Sequence, residues 1–195
     1  LSKQRIKAKI LARKEGIVCG LDVARDVFKT LDKEISFQAQ VKDGQKVKKG
    51  KVLAYIEGNG TSILSAERVA LNFLIHLSGV ASLTKKYVRK VKTYPNVKVM
   101  EDSRRTTPTF RELERYAVRC GGGVNQAENQ KLIDLAVISA DPEAFKDHTA
   151  ITALIKQKRQ EGGEIKVRVT DLEQFRQALE FAPDIIMLDS MSIKD

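Results

Sequence analysis

Two adjacent arginines, Arg104 and Arg105, stand where a strand-like run ends and a helix-like run begins. Val97 and Val99 alternate with Lys98 and Met100, which is the period of a strand. Downstream, Thr107 or Thr109 can cap a helix and Pro108 suits its first turn. Thr109 and Glu112 have the spacing of a capping box. Guanidinium groups pair bidentately with carboxylates and phosphates, and a helix N-terminus offers free N–H groups. The expectation is an anion receptor at the mouth of a strand. Other chemistry-bearing residues are sparser. Glu67 and Arg68 fall in an apolar helical run, where a charge needs a partner or a task, a structural pair being the plain alternative. His76 on the same run reads as a packed histidine rather than a catalyst, and His148 as a helix-start residue. Gly121-Gly122-Gly123 reads as a helix end before it reads as a phosphate loop. Asp189 is a carboxylate at the end of the last strand-like run.

The elements that must position these groups follow from periodicity. Residues 4–13 alternate basic and apolar types, with Ile6, Ala8 and Ile10 on one face of a half-buried strand. A short strand is expected over 17–20 and a helix over 21–31, with Val23, Val27, Phe28 and Leu31 on one side. Two strands follow at 36–41 and 52–56. The glycine turns between them, Asp43-Gly44 and Lys49-Gly50, look like the hammerhead turn of lipoyl-type sandwiches and are read as structural. Gly58-Asn59-Gly60 opens a helix whose apolar residues cover most of its circumference, so it should be largely buried. Ser78-Gly79 should break it, with a second helix over 81–92. From Val97 strands and helices alternate: 97–101, 109–120, 135–139, 150–161, 165–170, 172–181 and 184–188. Such alternation implies a parallel sheet, either a barrel or a doubly wound sheet, with ligands at the carboxyl ends of its strands. The change of pattern near Tyr94-Pro95-Asn96 divides the chain into domains 1–95 and 96–195.

Composition narrows the class. The 195 residues are 42% apolar, enough for a core, and carry a net charge of +10, which suits anionic partners. Nucleic acid is disfavoured: the basic residues are scattered, aromatics are 6%, and no recognised nucleic-acid motif is present. The two cysteines, Cys19 and Cys120, lack metal-ligand spacing, so thiols in a reducing compartment, the cytoplasm, are expected. No signal peptide or membrane-length run is read, and the start at Leu1 suggests a longer gene product.

Several motifs together resemble the quinolinate phosphoribosyltransferases, also called nicotinate-nucleotide pyrophosphorylases (carboxylating). They are Leu64-Ser65-Ala66-Glu67-Arg68 with Asn72-Phe73-Leu74, then Leu77-Ser78-Gly79, then Ser103-Arg104-Arg105-Thr106. After these come Glu114-Arg115-Tyr116-Ala117-Val118 with Gly121-Gly122-Gly123 and Asn125, and finally Met187-Leu188-Asp189. The resemblance implies an α/β fold: an N-terminal α/β sandwich domain followed by an incomplete TIM-like β/α barrel. It implies condensation of quinolinate with phosphoribosyl pyrophosphate, with Mg2+ accompanying the pyrophosphate, to give nicotinate mononucleotide. It also implies a homodimer in which one N-terminal domain caps the other subunit's barrel. On this resemblance Arg68, Arg104 and Arg105 bind substrate, and Asp189 is the catalytic strand-end carboxylate near ribose, pyrophosphate and metal. Arginines are natural receptors for the two carboxylates of quinolinate.

The chain departs from the family pattern at identifiable places. Gln126 and Ala127 replace a His-Arg pair, and Ser139 stands where the family has a lysine. Lys166-Val167-Arg168 replaces an acidic Glu-Val-Glu, reversing both charges. Four strands from Val97 onward cannot close a barrel, so a longer chain or a heteromeric partner would complete it. The expectation from these losses is impaired catalysis. The alternative is a non-catalytic paralogue serving as an anion-binding or structural partner subunit.

Overall fold

A computed structural model describes residues 4–94, 97–100, 106–124, 132–134, 148–160, 162, 164–189 and 191. The chain forms two compact units, Leu1–Gln126 and Ala127–Asp195.

In the first unit, β1 (Arg5–Leu11), β3 (Ser36–Ala39) and β5 (Val52–Asn59) form an antiparallel sheet in the order β1-β5-β3. The alternation expected in β1 is present: Arg5, Lys7 and Lys9 are exposed, while Ile6, Ala8 and Ile10 turn toward the core. A register shift at Ile10/Leu11 ends the regular ladder with β5. Two short strands, β2 (Gly16–Ile17) and β4 (Lys46–Val47), pair separately. Helix α1 (Leu21–Leu31) buries Leu21, Ala24 and Phe28 against the sheet and α2. Its N-terminus is held by Asp43, which accepts hydrogen bonds from the N–H groups of Gly20 (2.9 Å) and Leu21 (3.2 Å). The Asp43-Gly44 turn is therefore structural, as its glycine suggests.

Helix α2 (Gly60–Val91) is one continuous element of 32 residues, where two were expected. Asn59 caps it, accepting from the N–H groups of Thr61 and Ser62. It does not break at Ser78-Gly79, because the Ser78 hydroxyl is used outward: it accepts from the Cys19 N–H at 3.0 Å, and Ser82 does the same for Ile17 at 2.8 Å. Gly79 faces open space, where a helical glycine costs only about 1 kcal/mol. Nor is α2 buried all round. Ile63, Ala66, Ala70, Leu74, Leu77 and Ala81 face inward, while Leu64, Val69 and Ile75 are 54%, 49% and 70% exposed. With no charge between Arg68 and Lys85, α2 is also long and apolar enough to cross a membrane by length and composition. Its inner face builds the core of this unit, which marks it as a core helix.

Helix α3 (Arg111–Cys120) packs Leu113, Tyr116 and Ala117 on Leu77 and Ala81 of α2. That packing carries the first compact unit past Tyr94, to Gln126. Among the described residues, a parallel bridge of Met100 with Val124 marks the strand expected over 97–101. Cys19 and Cys120 are free thiols in the same cluster. Burial, with Cys120 beside it, pushes the Cys19 thiol far up, so it is inert.

Among its described residues the second unit has three parallel strands in the order β6 (Leu132–Asp134), β7 (Glu164–Val169) and β8 (Ile185–Leu188). Helices α4 (His148–Gln160) and α5 (Leu172–Glu180) supply the connections. Ile165, Val167 and Val169 of β7 are fully buried against Ile151 and Ile155 of α4 and Ala178 and Phe181 near α5. The Asp171 carboxylate caps α5 by accepting from the Gln174 N–H. The strand expected over 135–139 lies outside the described residues.

Candidate functional site

Arg68 is exposed on the outer face of α2. With Leu64, Glu67, Leu71, Asn72 and Ile75 it lines a shallow depression. The sequence placed Glu67 and Arg68 within an apolar wall. In the fold they stand on the solvent side of it, because the buried stripe runs through Ile63, Ala66 and Ala70.

Arg104 and Arg105 lie outside the described residues, but the chain directly after them is firmly held. The Thr107 N–H donates to Glu114 Oε2 at 3.2 Å, and Glu114 Oε1 meets His76 Nε2 at 2.7 Å. Phe110 stacks on Phe73 at 5.3 Å between centroids and takes the edge of His76. Burial raises the Glu114 carboxyl, but hydrogen bonds from Thr107 and His76 outweigh it and hold the group below its ordinary value. The expected capping box is absent. Phe110 is the N-cap of α3, without a side-chain cap bond, and Thr109 adopts φ 68°. Glu114, one turn inside the helix, holds the Thr107 N–H instead. No periodicity marks this pairing in the sequence. Glu114 occurs in the charged run Arg111-Glu112-Leu113-Glu114-Arg115, and only the crossing of α3 on α2 singles it out.

Gly121-Gly122-Gly123 ends α3 as the sequence suggested. The Gly123 N–H donates to the Val118 carbonyl and the Gly122 N–H to that of Arg119, with Gly122 at φ 88°. All three glycines serve packing and chain reversal.

Asp189 directly follows β8, its N–H bonded to the Val169 carbonyl at 2.8 Å. Its carboxylate meets Arg168 at 3.4 Å (Nη1 to Oδ2), with side chains only 15% and 23% exposed. Lys166, two residues earlier on the same strand face, is 5% exposed. Among the described residues no three His, Cys, Asp or Glu side chains gather as metal ligands. Of the described strand-end carboxylates, Asp189 is met by a guanidinium and Asp171 caps α5, so the described residues gather no ligand set for Mg2+. Arg68 belongs to the first unit and Asp189 to the second, while Arg104 and Arg105 lie outside the described residues.

Two family models cover nearly the whole chain: the quinolinate phosphoribosyl transferase N-terminal domain over residues 1–78 and its C-terminal domain over residues 80–195. The chain belongs to the quinolinate phosphoribosyltransferase family. The probable nicotinate-nucleotide pyrophosphorylase (carboxylating) of Synechocystis is 36% identical over 191 residues, 97% of this chain and 63% of that protein. The corresponding Bacillus subtilis protein is also 36% identical, over 96% of this chain and 64% of its own length. The crystal structure of NadC from Streptococcus pyogenes matches with a TM-score of 0.72 at 36% identity, covering 98% of this chain and 68% of that one. This chain therefore spans just under two thirds of those two curated relatives. The quinolinate phosphoribosyltransferase fold class is the one expected from the sequence: α/β, with a sandwich domain followed by part of a TIM-like barrel. The comparisons give no support to the non-catalytic alternative. Of the departures, Gln126, Ala127 and Ser139 lie outside the described residues, whereas Arg168 is placed and paired.

Proposed function

We propose that this chain carries a quinolinate phosphoribosyltransferase activity in NAD biosynthesis. The quinolinate ring nitrogen attacks C1 of phosphoribosyl pyrophosphate and the C1–O bond to pyrophosphate breaks. The 2-carboxylate leaves as carbon dioxide, and the electron pair left on the ring carbon takes a proton. The products are nicotinate mononucleotide, carbon dioxide and pyrophosphate. The observation that carries this reading is the match to both family domains along one chain, with relatives of that activity at 36% identity. Arg68, Arg104 and Arg105 receive the two quinolinate carboxylates, and the cations stabilise charge developing on the ring. The protein is cytoplasmic and works as a homodimer. The apolar stripe of Leu64, Leu71 and Ile75 around Arg68 supports an interface that presents this arginine to a second copy. Incubation with quinolinate, phosphoribosyl pyrophosphate and magnesium should yield nicotinate mononucleotide, and Arg68→Ala should raise KM for quinolinate at least about tenfold. Absence of product with the full-length protein overturns the reading.

A further inference from the structure

The chain has two cysteines, and the fold brings them together although 101 positions separate them. Cys19 lies in the segment between β2 and α1, and Cys120 is the last residue of α3. Cys19 is fixed from α2. Its N–H donates to the Ser78 hydroxyl at 3.0 Å, and that hydroxyl donates back to the Cys19 carbonyl at 3.2 Å. Its side chain is fully buried in the cluster of Leu77 and Ala81.

Cys120 reaches the same place from α3. Tyr116 and Cys120 lie one turn apart on one face of that helix. The Tyr116 hydroxyl donates to Asp43 Oδ2 at 3.0 Å, and the same oxygen accepts from the N–H of Gly20, the residue after Cys19, at 2.9 Å. Gly44 allows the close approach. Its N–H donates to the Val18 carbonyl at 2.8 Å, and an added Cβ would lie 3.5 Å from the Cys120 carbonyl oxygen. The two thiols are in hydrogen-bonding contact, and Cys120 also hydrogen-bonds Tyr116.

One buried cysteine is accounted for by packing, since it serves as a small apolar residue. Two in contact, with unequal access, meet the requirements of a reaction. Cys19 has no exposed surface, whereas Cys120 is half-buried. Thiol–disulfide exchange starts at a reachable thiolate and finishes when a second sulfur displaces the first product. Cys120 meets the first condition and Cys19 the second. Burial and the adjoining Cys120 push the Cys19 thiol up, so it does not start the exchange from solvent. The part of that rise owed to Cys120 disappears once Cys120 is itself in a disulfide. A disulfide needs Cβ atoms about 3.5–4.5 Å apart, and thiols already in contact come to that separation with little backbone movement.

We propose that Cys19 and Cys120 are a redox pair, which small-molecule disulfides of the glutathione class oxidise to an intramolecular disulfide within the folded first unit. The Cys120 thiolate attacks one sulfur of oxidised glutathione, forming a mixed disulfide and releasing one glutathione. The Cys19 sulfur then attacks the Cys120 sulfur, and its proton passes to the second glutathione thiolate as that leaves. Two protein thiols are oxidised and one molecule of oxidised glutathione is reduced to two of glutathione. The new bond fastens the end of α3 to the segment before α1. It closes a loop of about 100 residues and so stabilises the unit.

The test is exchange of the full chain with excess oxidised glutathione at mildly alkaline pH, followed by alkylation and peptide mapping without reduction. The expected product is a linked peptide pair holding Cys19 and Cys120. Both thiols should be closed to alkylation in the denatured chain and reopened by dithiothreitol. The thermal midpoint of the oxidised chain should lie roughly 5–15 °C above that of the reduced chain. Cys19→Ala should stop at a glutathione adduct on Cys120. Cys120→Ala should slow every modification of Cys19 by at least about a hundredfold, because the remaining thiol is buried. Circular dichroism reports the fold of each variant, and the map of the native chain decides the question even where a variant does not fold. Thiols that both stay free, a glutathione adduct on the native chain that goes no further, or a Cys120–Cys120 link between two copies each overturns the proposal. So does an oxidised chain whose midpoint is no higher than that of the reduced chain, since the pair would then join only by distorting the fold.

Discussion

Glu114 does more structural work than its place in a charged helix suggests. It joins α2 through His76 to the backbone of Thr107, immediately after the Arg104-Arg105 pair. Because its folded pKa lies below the ordinary 4.5, the carboxylate stabilises the fold above that value. The stabilisation is lost as pH falls through the lowered value. Glu114→Ala should therefore cost about 1–3 kcal/mol near neutrality, the cost of losing charged hydrogen bonds at a mostly buried site. The deficit should shrink as pH falls below the ordinary carboxylate range, where the native carboxylate is itself protonated. Urea unfolding followed by amide exchange in α2 and α3 measures both limbs. An equal deficit at both pH values would mean that packing, not the ionised carboxylate, carries the effect. Arg168 shows the same lesson at a charge reversal. In the sequence, Lys166-Val167-Arg168 looked like the removal of a site. In the structure Arg168 takes a defined partner, Asp189, which sequence spacing could not reveal because 21 positions separate them.

At the scale of elements, what was legible is what repeats. The alternation of β1, the span of α1 and, in the second unit, β7, α5 and β8 came directly from period, and each appears within a residue or two of its expected bounds. Two of the differences are cases in which a partner outside the local window decided the outcome. Ser78 continues α2 because its hydroxyl serves Cys19, and the missing capping box is replaced by Glu114 from further along the helix. The glycine triplet illustrates both kinds of information. Gly122 could be anticipated, since a helix end wants a residue at positive φ. Gly121 could not, because its constraint is the close approach of α2: an added Cβ would lie 2.5 Å from the Ala81 carbonyl oxygen and 2.6 Å from Thr84 Cβ. Two substitutions separate these causes. Gly122→Ala meets only ordinary contacts and should cost about 1–2 kcal/mol for backbone conformation alone. Gly121→Ala has an unstrained φ of −73° but must push two helices apart, costing about 1–3 kcal/mol or more and loosening α3. Thermal unfolding ranks the two, and amide exchange in α3 should rise more in Gly121→Ala. The reverse ranking would mean that the α2–α3 contact yields easily.

For the whole molecule, the exposed stripe of α2 sets a stability problem that a second copy would solve. Leu64, Arg68, Leu71 and Ile75 follow one helical face, and three large side chains on this helix, Leu64, Ile75 and Leu83, are more than half exposed. Exposed apolar patches of this kind mark interaction sites. A two-fold contact through this stripe would bury each residue twice. Replacing Ile75 by Glu would then remove two isoleucines from one interface, about 3–6 kcal/mol, enough to raise the dimer dissociation constant by roughly a hundredfold or more. Charge gives an independent signature. Each copy carries +10, so association brings like charges together and is opposed by their repulsion. Added salt screens that repulsion, so self-association should tighten as ionic strength rises, while binding of a polyanion to the same chain should weaken. Sedimentation velocity across a salt series, on the native chain and on Ile75→Glu, reads both effects. A native chain that stays monomeric at high micromolar concentration and high salt would rule out the α2 face as a self-association surface. An Ile75→Glu variant that associates as tightly as the native chain would move the interface elsewhere and leave Arg68 to act, if at all, within its own subunit.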